Sequence, residues 1–192
     1  MASSYAFPLF IVLAVLILTG WREHEPAHVA GPAYTSDGQL EVPQDYREWI
    51  YLSSGFDMSY TPGAQATGHH VFDNVFVNLN SYQAFRKTGS WPDKTILVLE
   101  VRDARQKGSI NQRGSYQDAG VKGLEFHVKD KRRFSKGWAF FGSNGADTAK
   151  LIHETADCYS CHEEHGAVDT TFVQFYPTLF PIASSKRTLK AN

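Results

Sequence analysis

The chain has two cysteines, separated by two residues and followed at once by a histidine: Cys158-Tyr159-Ser160-Cys161-His162. Two thiols at this spacing can add to the two vinyl groups of one porphyrin, and the next imidazole then lies under the ring, where it can bind iron. The spacing therefore predicts one covalently attached haem c, with Cys158 and Cys161 as attachment points and His162 as metal ligand. The proximal ligand and the opposite pocket would then set the iron's chemistry. Two other readings compete. A structural zinc site needs four ligands, and here His162 and His165 would have to complete the set beside the cysteines. A thioredoxin-type pair belongs after a strand in a βαβ unit, whereas this motif sits near the C-terminus behind an expected helix.

Length and composition bound the rest. A chain of 192 residues can bury one core of its own. A formal net charge of −1, with no basic run, points away from nucleic acid. Aromatic residues make up 14%, enough to line a porphyrin pocket and equally at home in a β core. With both cysteines in one motif, no disulfide framework is expected. Phe7 to Leu18 is apolar but short of the roughly 20 residues that span a bilayer. It reads as the hydrophobic region of a secretory signal, with Thr19 and Gly20 small enough to flank a cleavage site. No Lys or Arg precedes it, so an uncleaved anchor is the alternative, and only then would the protein meet a membrane. Export to the periplasm agrees with haem c, which bacteria attach outside the cytoplasm. The expected divisions are 1–20 signal peptide or anchor, 21–40 linker or N-terminal arm, 41–182 haem domain and 183–192 basic tail.

The elements that must position the motif follow from local pattern. Pro43 to Leu52 reads as a helix, because Tyr46, Trp49 and Ile50 recur at helical spacing. Ser53 to Gly68 reads as loop. Val71 to Asn78 reads as a strand, and Ser81 to Lys87 as a short helix capped by Ser81 and ended by Gly89. Thr95 to Arg102 is β-branched and apolar, hence a strand. Asp103 to Asp118 is polar with Gly108 and Gly114, a long loop and a candidate lid. Gly120 to Lys129 alternates, with Leu124, Phe126 and Val128 on one side and Glu125, His127 and Lys129 on the other. Trp138 to Phe141 reads as a strand, Ala146 to Asp157 as a helix delivering Cys158, Thr171 to Tyr176 as a strand or extended segment, and Ser184 to Asn192 as a frayed basic tail. The body is thus β-rich, unlike small helical electron-transfer cytochromes.

A sixth iron ligand could come from Met58, or from the His69-His70 pair, and would make an electron carrier. His24, His28, His153 and His165 have no supporting context. Arg102 could aim a cation at the pocket or form a surface ion pair.

Several further pieces occur in a characteristic order: Pro43 to Trp49, Val75-Phe76-Val77 with Ser81-Tyr82, Lys87-Thr88-Gly89, Gly123-Leu124-Glu125, Val128-Lys129-Asp130, Arg133-Phe134, Trp138-Ala139-Phe140, the haem motif, and Phe172 to Pro177. In these the chain resembles the cytochrome P-460 family, including its cytochrome c-prime-beta members, from about Glu41 to Leu179. The resemblance implies an α+β, β-dominated fold, an antiparallel sheet flanked by short helices, usually as a homodimer. It implies a five-coordinate mono-haem c bound through His162, with an open distal face. Members oxidise hydroxylamine or bind nitric oxide in the periplasm, exchanging electrons with a redox partner protein. P-460 enzymes carry a Lys in a V-K-E context that bonds to a porphyrin meso carbon. Here that context is Val98-Leu99-Glu100, and Leu99 cannot form the bond. Lys94, at the strand's start, is not expected to replace it. An apolar Leu99 over the iron resembles the c-prime-beta members, whose pockets suit a neutral diatomic ligand. Glu125 aligns with a distal carboxylate that takes protons during hydroxylamine oxidation. Its alternative is an ion pair with Arg102 or Lys129 across strands.

Overall fold

A computed structural model describes residues 31–59 and 68–191. The expected signal or anchor, His24, His28, and Pro62 and Gly63 of the expected loop lie outside the described residues. Among the described residues, no helix is long and apolar enough to cross a membrane.

The strands are β1 (Leu40–Glu41), β2 (Ile50–Phe56), β3 (Val71–Val77), β4 (Ile96–Gln106), β5 (Ser115–Lys129), β6 (Trp138–Ser143) and β7 (Thr148–Leu151). They form one seven-stranded sheet in the order β1-β7-β6-β5-β4-β3-β2. Every pairing is antiparallel, so β2 to β7 run as a meander and β1 closes the far edge. Three helices accompany it: α1 (Leu79–Thr88), α2 (Asp157–His165) and α3 (Phe180–Lys186). This is the α+β, β-dominated class expected.

The sheet is buried on both faces. On one, Ile96 and Val98 of β4, Leu124, Phe126 and Val128 of β5, and Ala139 and Phe141 of β6 pack under Leu40, Val42, Tyr46 and Trp49. On the other, Val77, Leu97 and Trp138 pack under Phe85 of α1, Ala183 of α3 and the intervening Val173, Tyr176 and Leu179. A strand apolar on both sides reads as a continuous run rather than an alternation, which is why Thr95 to Val101 carries so strong a signal.

Several expected elements are different. Pro43–Leu52 is not a helix: a 3-10 turn spans Tyr46–Glu48, and the chain extends into β2 from Ile50. The three-residue spacing of Tyr46 and Trp49 fits one such turn as well as an α-helix. Ser53 to Phe56 is accordingly strand rather than loop. Asn78, not Ser81, caps α1, and its Oδ1 accepts from the Ile96 amide at 3.0 Å instead of bonding its own helix. Gly89 ends α1 at φ +77, as expected. The stretch from Asp103 to Asp118 is not a lid loop: Ala104, Arg105 and Gln106 pair with Gln117, Tyr116 and Ser115 in an extension of the β4–β5 hairpin. Both faces of that arm meet solvent, so its composition is polar like a loop's. Residues 146–157 are not a helix, because Thr148–Leu151 pairs with β1 and β6. Tertiary pairing overrides the modest helix propensity there. Thr171–Tyr176 holds a 3-10 turn at Val173–Phe175 instead of a strand. The tail is not frayed: Lys190 N donates to the Ala167 carbonyl at 2.7 Å, and its Nζ donates to the Glu163 carbonyl at 2.8 Å.

Candidate functional site

The motif begins a helix rather than following one. α2 starts at Asp157, whose carboxylate suits the positive N-terminal end of the helix. Positions 158, 161 and 162 are then three and four residues apart on a helix and share a face. Tyr159, between the cysteines, pins that helix to the sheet. Its hydroxyl donates to the Ile152 carbonyl at 3.1 Å and accepts from the Phe140 amide at 3.1 Å.

Cys158, Cys161 and His162 line one cavity of about 380 Å³, within the range usual for cofactor sites. The sheet face bearing Leu97, Leu99 and Val101 of β4, Val75 of β3 and Glu125 of β5 also lines it. Phe172, Phe175 and Tyr176 add aromatic lining. Leu99 pairs with Glu125 across β4 and β5, so the residues expected over the iron stand side by side.

His162 Nδ1 lies 2.7 Å from the Thr170 carbonyl. A carbonyl can only accept, so Nδ1 carries the proton and Nε2 keeps the lone pair that a metal needs. The ring sits against Phe172, at 4.2 Å between centroids, and Phe140, at 4.7 Å. Burial outweighs the Thr170 bond and lowers the pKa of His162, favouring neutral imidazole. Burial raises the pKa of Cys158, with the nearby charges of Glu125 and Asp157 adding to it. A redox-active thiol of the thioredoxin kind needs the opposite shift, and the all-antiparallel sheet offers no βαβ unit. The zinc reading also loses its fourth ligand. His165 faces solvent beside Glu164, and among the described residues no three His, Cys, Asp or Glu side chains are placed to hold a metal ion among themselves. Two thiols, one neutral imidazole with a committed tautomer, and aliphatic and aromatic walls fit a haem bound through Cys158, Cys161 and His162.

Glu125 opens to solvent at the cavity mouth, yet enough protein surrounds it that desolvation raises its pKa. It forms no ion pair with Arg102 or Lys129. Arg102 instead binds Glu100 on the other sheet face, and Lys129 Nζ holds Asp169 at 2.7 Å. A second carboxylate, Asp73, lines the same cavity; desolvation and then Glu125 raise its pKa. None of the described residues lining the cavity is Lys or Arg. Sequence reasoning missed Asp73, although a lone acid inside the strand-forming run Val71–Val77 was a usable signal. It also missed Thr170 and the three aromatic residues after it, which only the chain's return brings to α2.

Of the other candidates, Met58 lines the cavity, whereas His69 and His70 pair with Asp103 and Asp57. Lys94 is not at the site: its Nζ binds Asp130 at 2.6 Å. His153 caps a local turn through Thr155.

A family model described as cytochrome P460 matches residues 43–173 of the chain. No curated protein matches it.

Proposed function

The chain belongs to the cytochrome P460 family, and from that membership we propose a mono-haem c protein whose open iron binds or converts a small nitrogen species, nitric oxide favoured. One observation carries the preference. The cavity that His162 enters is also lined by Leu97, Leu99, Val101 and Val75, with leucine where the resemblance puts the cross-linking lysine. Aliphatic cover offers a neutral diatomic ligand a dry site, and the described lining residues give an anion no cationic partner. The haem would be held by thioethers from Cys158 and Cys161 and by His162, and would supply ligand binding and one-electron chemistry at the iron. The chain's own part is to orient the imidazole, exclude water with aliphatic and aromatic cover, and place carboxylates at the mouth.

We further propose export to the periplasm, a redox partner protein and a homodimeric state, following the family's habit. The apolar run Phe7 to Leu18 supports the first of these.

A second reading has its own support. Glu125, with Asp73 nearby and no cation among the described residues lining the cavity, suits a proton acceptor in the conversion of hydroxylamine or peroxide. A third, a six-coordinate electron carrier, rests on Met58 at the cavity edge.

The absorption spectrum of the reduced protein separates these readings. The expected result is a high-spin, five-coordinate spectrum with an unshifted c-type Soret band that changes on adding nitric oxide. A low-spin, six-coordinate spectrum would favour the carrier and sink the open-iron reading. In the Glu125→Gln variant, nitric oxide affinity should match the parent. Hydroxylamine turnover dependent on Glu125 would instead fall about 10²- to 10⁴-fold, the usual worth of a general base. The acceptor is the ionised form, and desolvation raises the pKa above its ordinary 4.5. Such turnover would therefore increase with pH through a range above that value, and the Glu125→Gln profile would lose this limb.

A further inference from the structure

The carbonyl that receives His162 Nδ1 belongs to a turn, Val168 to Thr171, closed by Thr171 N donating to the Val168 carbonyl at 3.0 Å. Asp169 takes the left-handed conformation at φ +52, which an Asp tolerates in a tight turn. Three side chains from elsewhere in the fold grip this turn. His127 Nε2 lies 3.1 Å from Thr170 Oγ1. Lys129 Nζ donates to Asp169 Oδ2 at 2.7 Å and to the Trp91 carbonyl at 2.8 Å. Trp91 Nε1 donates to Thr171 Oγ1 at 2.8 Å. His127 and Lys129 are alternate residues on one face of β5, both buried, so a rigid central strand holds the turn at two successive points. The ring of His127 also stacks on Phe140 at 4.0 Å and meets the His162 ring at 5.0 Å. At the turn's other end, a Cβ on Gly166 would lie 2.6 Å from the His162 carbonyl oxygen and 2.8 Å from Thr171 N. The turn therefore approaches the end of α2 so closely that a side chain at position 166 would not fit.

We propose that His127 and Lys129 are positioning residues for His162, acting through the Val168–Thr171 turn to fix the carbonyl that orients the imidazole and sets its donor strength. This rests on the reading of His162 as haem ligand. Outer partners of a ligating histidine fix its tautomer and ring plane and raise its basicity. Here that partner is a backbone carbonyl, whose position is only as firm as its turn. From β5, His127, through the Thr170 hydroxyl, and the ammonium of Lys129 supply the firmness.

The Thr170→Val substitution tests this with little change in shape, because it removes the hydroxyl and keeps the carbonyl. In reduced holoprotein, the iron–imidazole stretching frequency should fall, and the redox equilibrium constant against a fixed mediator should shift about tenfold. Haem content should not change, and the Thr170→Ser protein should return both readouts to the parent values. Lys129→Met should move them in the same direction. Parent values for both readouts in Thr170→Val and Lys129→Met, with haem attached, would overturn the proposal. Purified parent protein without thioether-bound haem would overturn the reading beneath it, and a haem stain after denaturation distinguishes that failure from the first.

Discussion

Replacing both cysteines, Cys158→Ala with Cys161→Ala, is expected to abolish retention of haem by the denatured chain. Parent protein run on a denaturing gel should carry the haem stain and show the added mass of one haem; the double variant should show neither. The physical reason is the geometry of α2, where both sulfurs project from one helix face into one cavity. Both thiols are free, so no disulfide competes for them. The variant should still assemble its sheet, because α2 is pinned by Tyr159 rather than by the cysteines. It should nevertheless melt at lower temperature, since a cavity of about 380 Å³ bounded by Leu97, Leu99 and Phe172 would then be left to water. A group that binds only the folded chain adds stability in proportion to its occupancy. The single change His162→Ala should separate attachment from ligation: the stain persists, while the absorption bands that depend on the proximal imidazole are lost. A parent protein that gives no stain would sink the haem c assignment.

On the opposite face of the sheet, Glu100→Ala is expected to give the largest loss of stability outside the hydrophobic core. Glu100 is 2% exposed at the centre of β4. Its carboxylate accepts from Tyr46 and from Arg102, and Arg47 Nη2 lies 2.8 Å away. These contacts tie the 3-10 turn to the sheet. Removing the carboxylate strands the half-buried Arg102 and the buried Tyr46 hydroxyl, a change that costs roughly 3–5 kcal/mol when one partner of a buried pair is lost. Against a total stability of about 5–15 kcal/mol for a domain, that is a large share. The acid limb should move with it. Burial alone would raise the pKa of Glu100, but the bonds from Arg102 and Tyr46 outweigh it and hold the pKa below 4.5. A carboxyl lowered on folding contributes its full stability above its unfolded value and loses it as pH falls through the folded one. Thermal melts from pH 7 down should show the parent losing stability below about 4.5, with that slope shallower in Glu100→Ala. Coincident acid curves would show that the network contributes nothing.

Local patterns carried much of the site. Residues 158, 161 and 162 share a helix face whatever precedes them. The alternation from Leu124 to Lys129 correctly divides core from cavity: Phe126 and Val128 are fully buried on one side, and Glu125 and His127 line the cavity on the other. The central strand β4 announced itself through β-branched residues buried on both faces. The pieces that carried the resemblance to the P-460 family, apart from the end of Phe172 to Pro177, lie within the residues that the family match covers, 43–173.

What local pattern misassigned lies at the edges and crossings. Thr148–Leu151 is a strand because β1 arrives from the other end of the chain to pair with it. The polar stretch from Ala104 to Gln117 is a ladder because its own two halves pair, and neither face carries an apolar signature. Asp73 shares the cavity with Glu125 only because β3, β4 and β5 lie side by side in the sheet.

The amino-acid sequence by itself determined the chemistry available: two sulfurs and an imidazole on one helical face, an apolar Leu99 in a cavity-lining strand, and a strand alternating between core and cavity. Tertiary structure alone decided what surrounds that chemistry. Thr170 reaches His162, Lys129 reaches Asp169, and a second carboxylate reaches the cavity, across separations of 8, 40 and, from Asp73 to Glu125, 52 residues. Helical and strand periodicities extend over a few neighbours, whereas these contacts depend on how the strands pair and where the chain turns back onto the sheet.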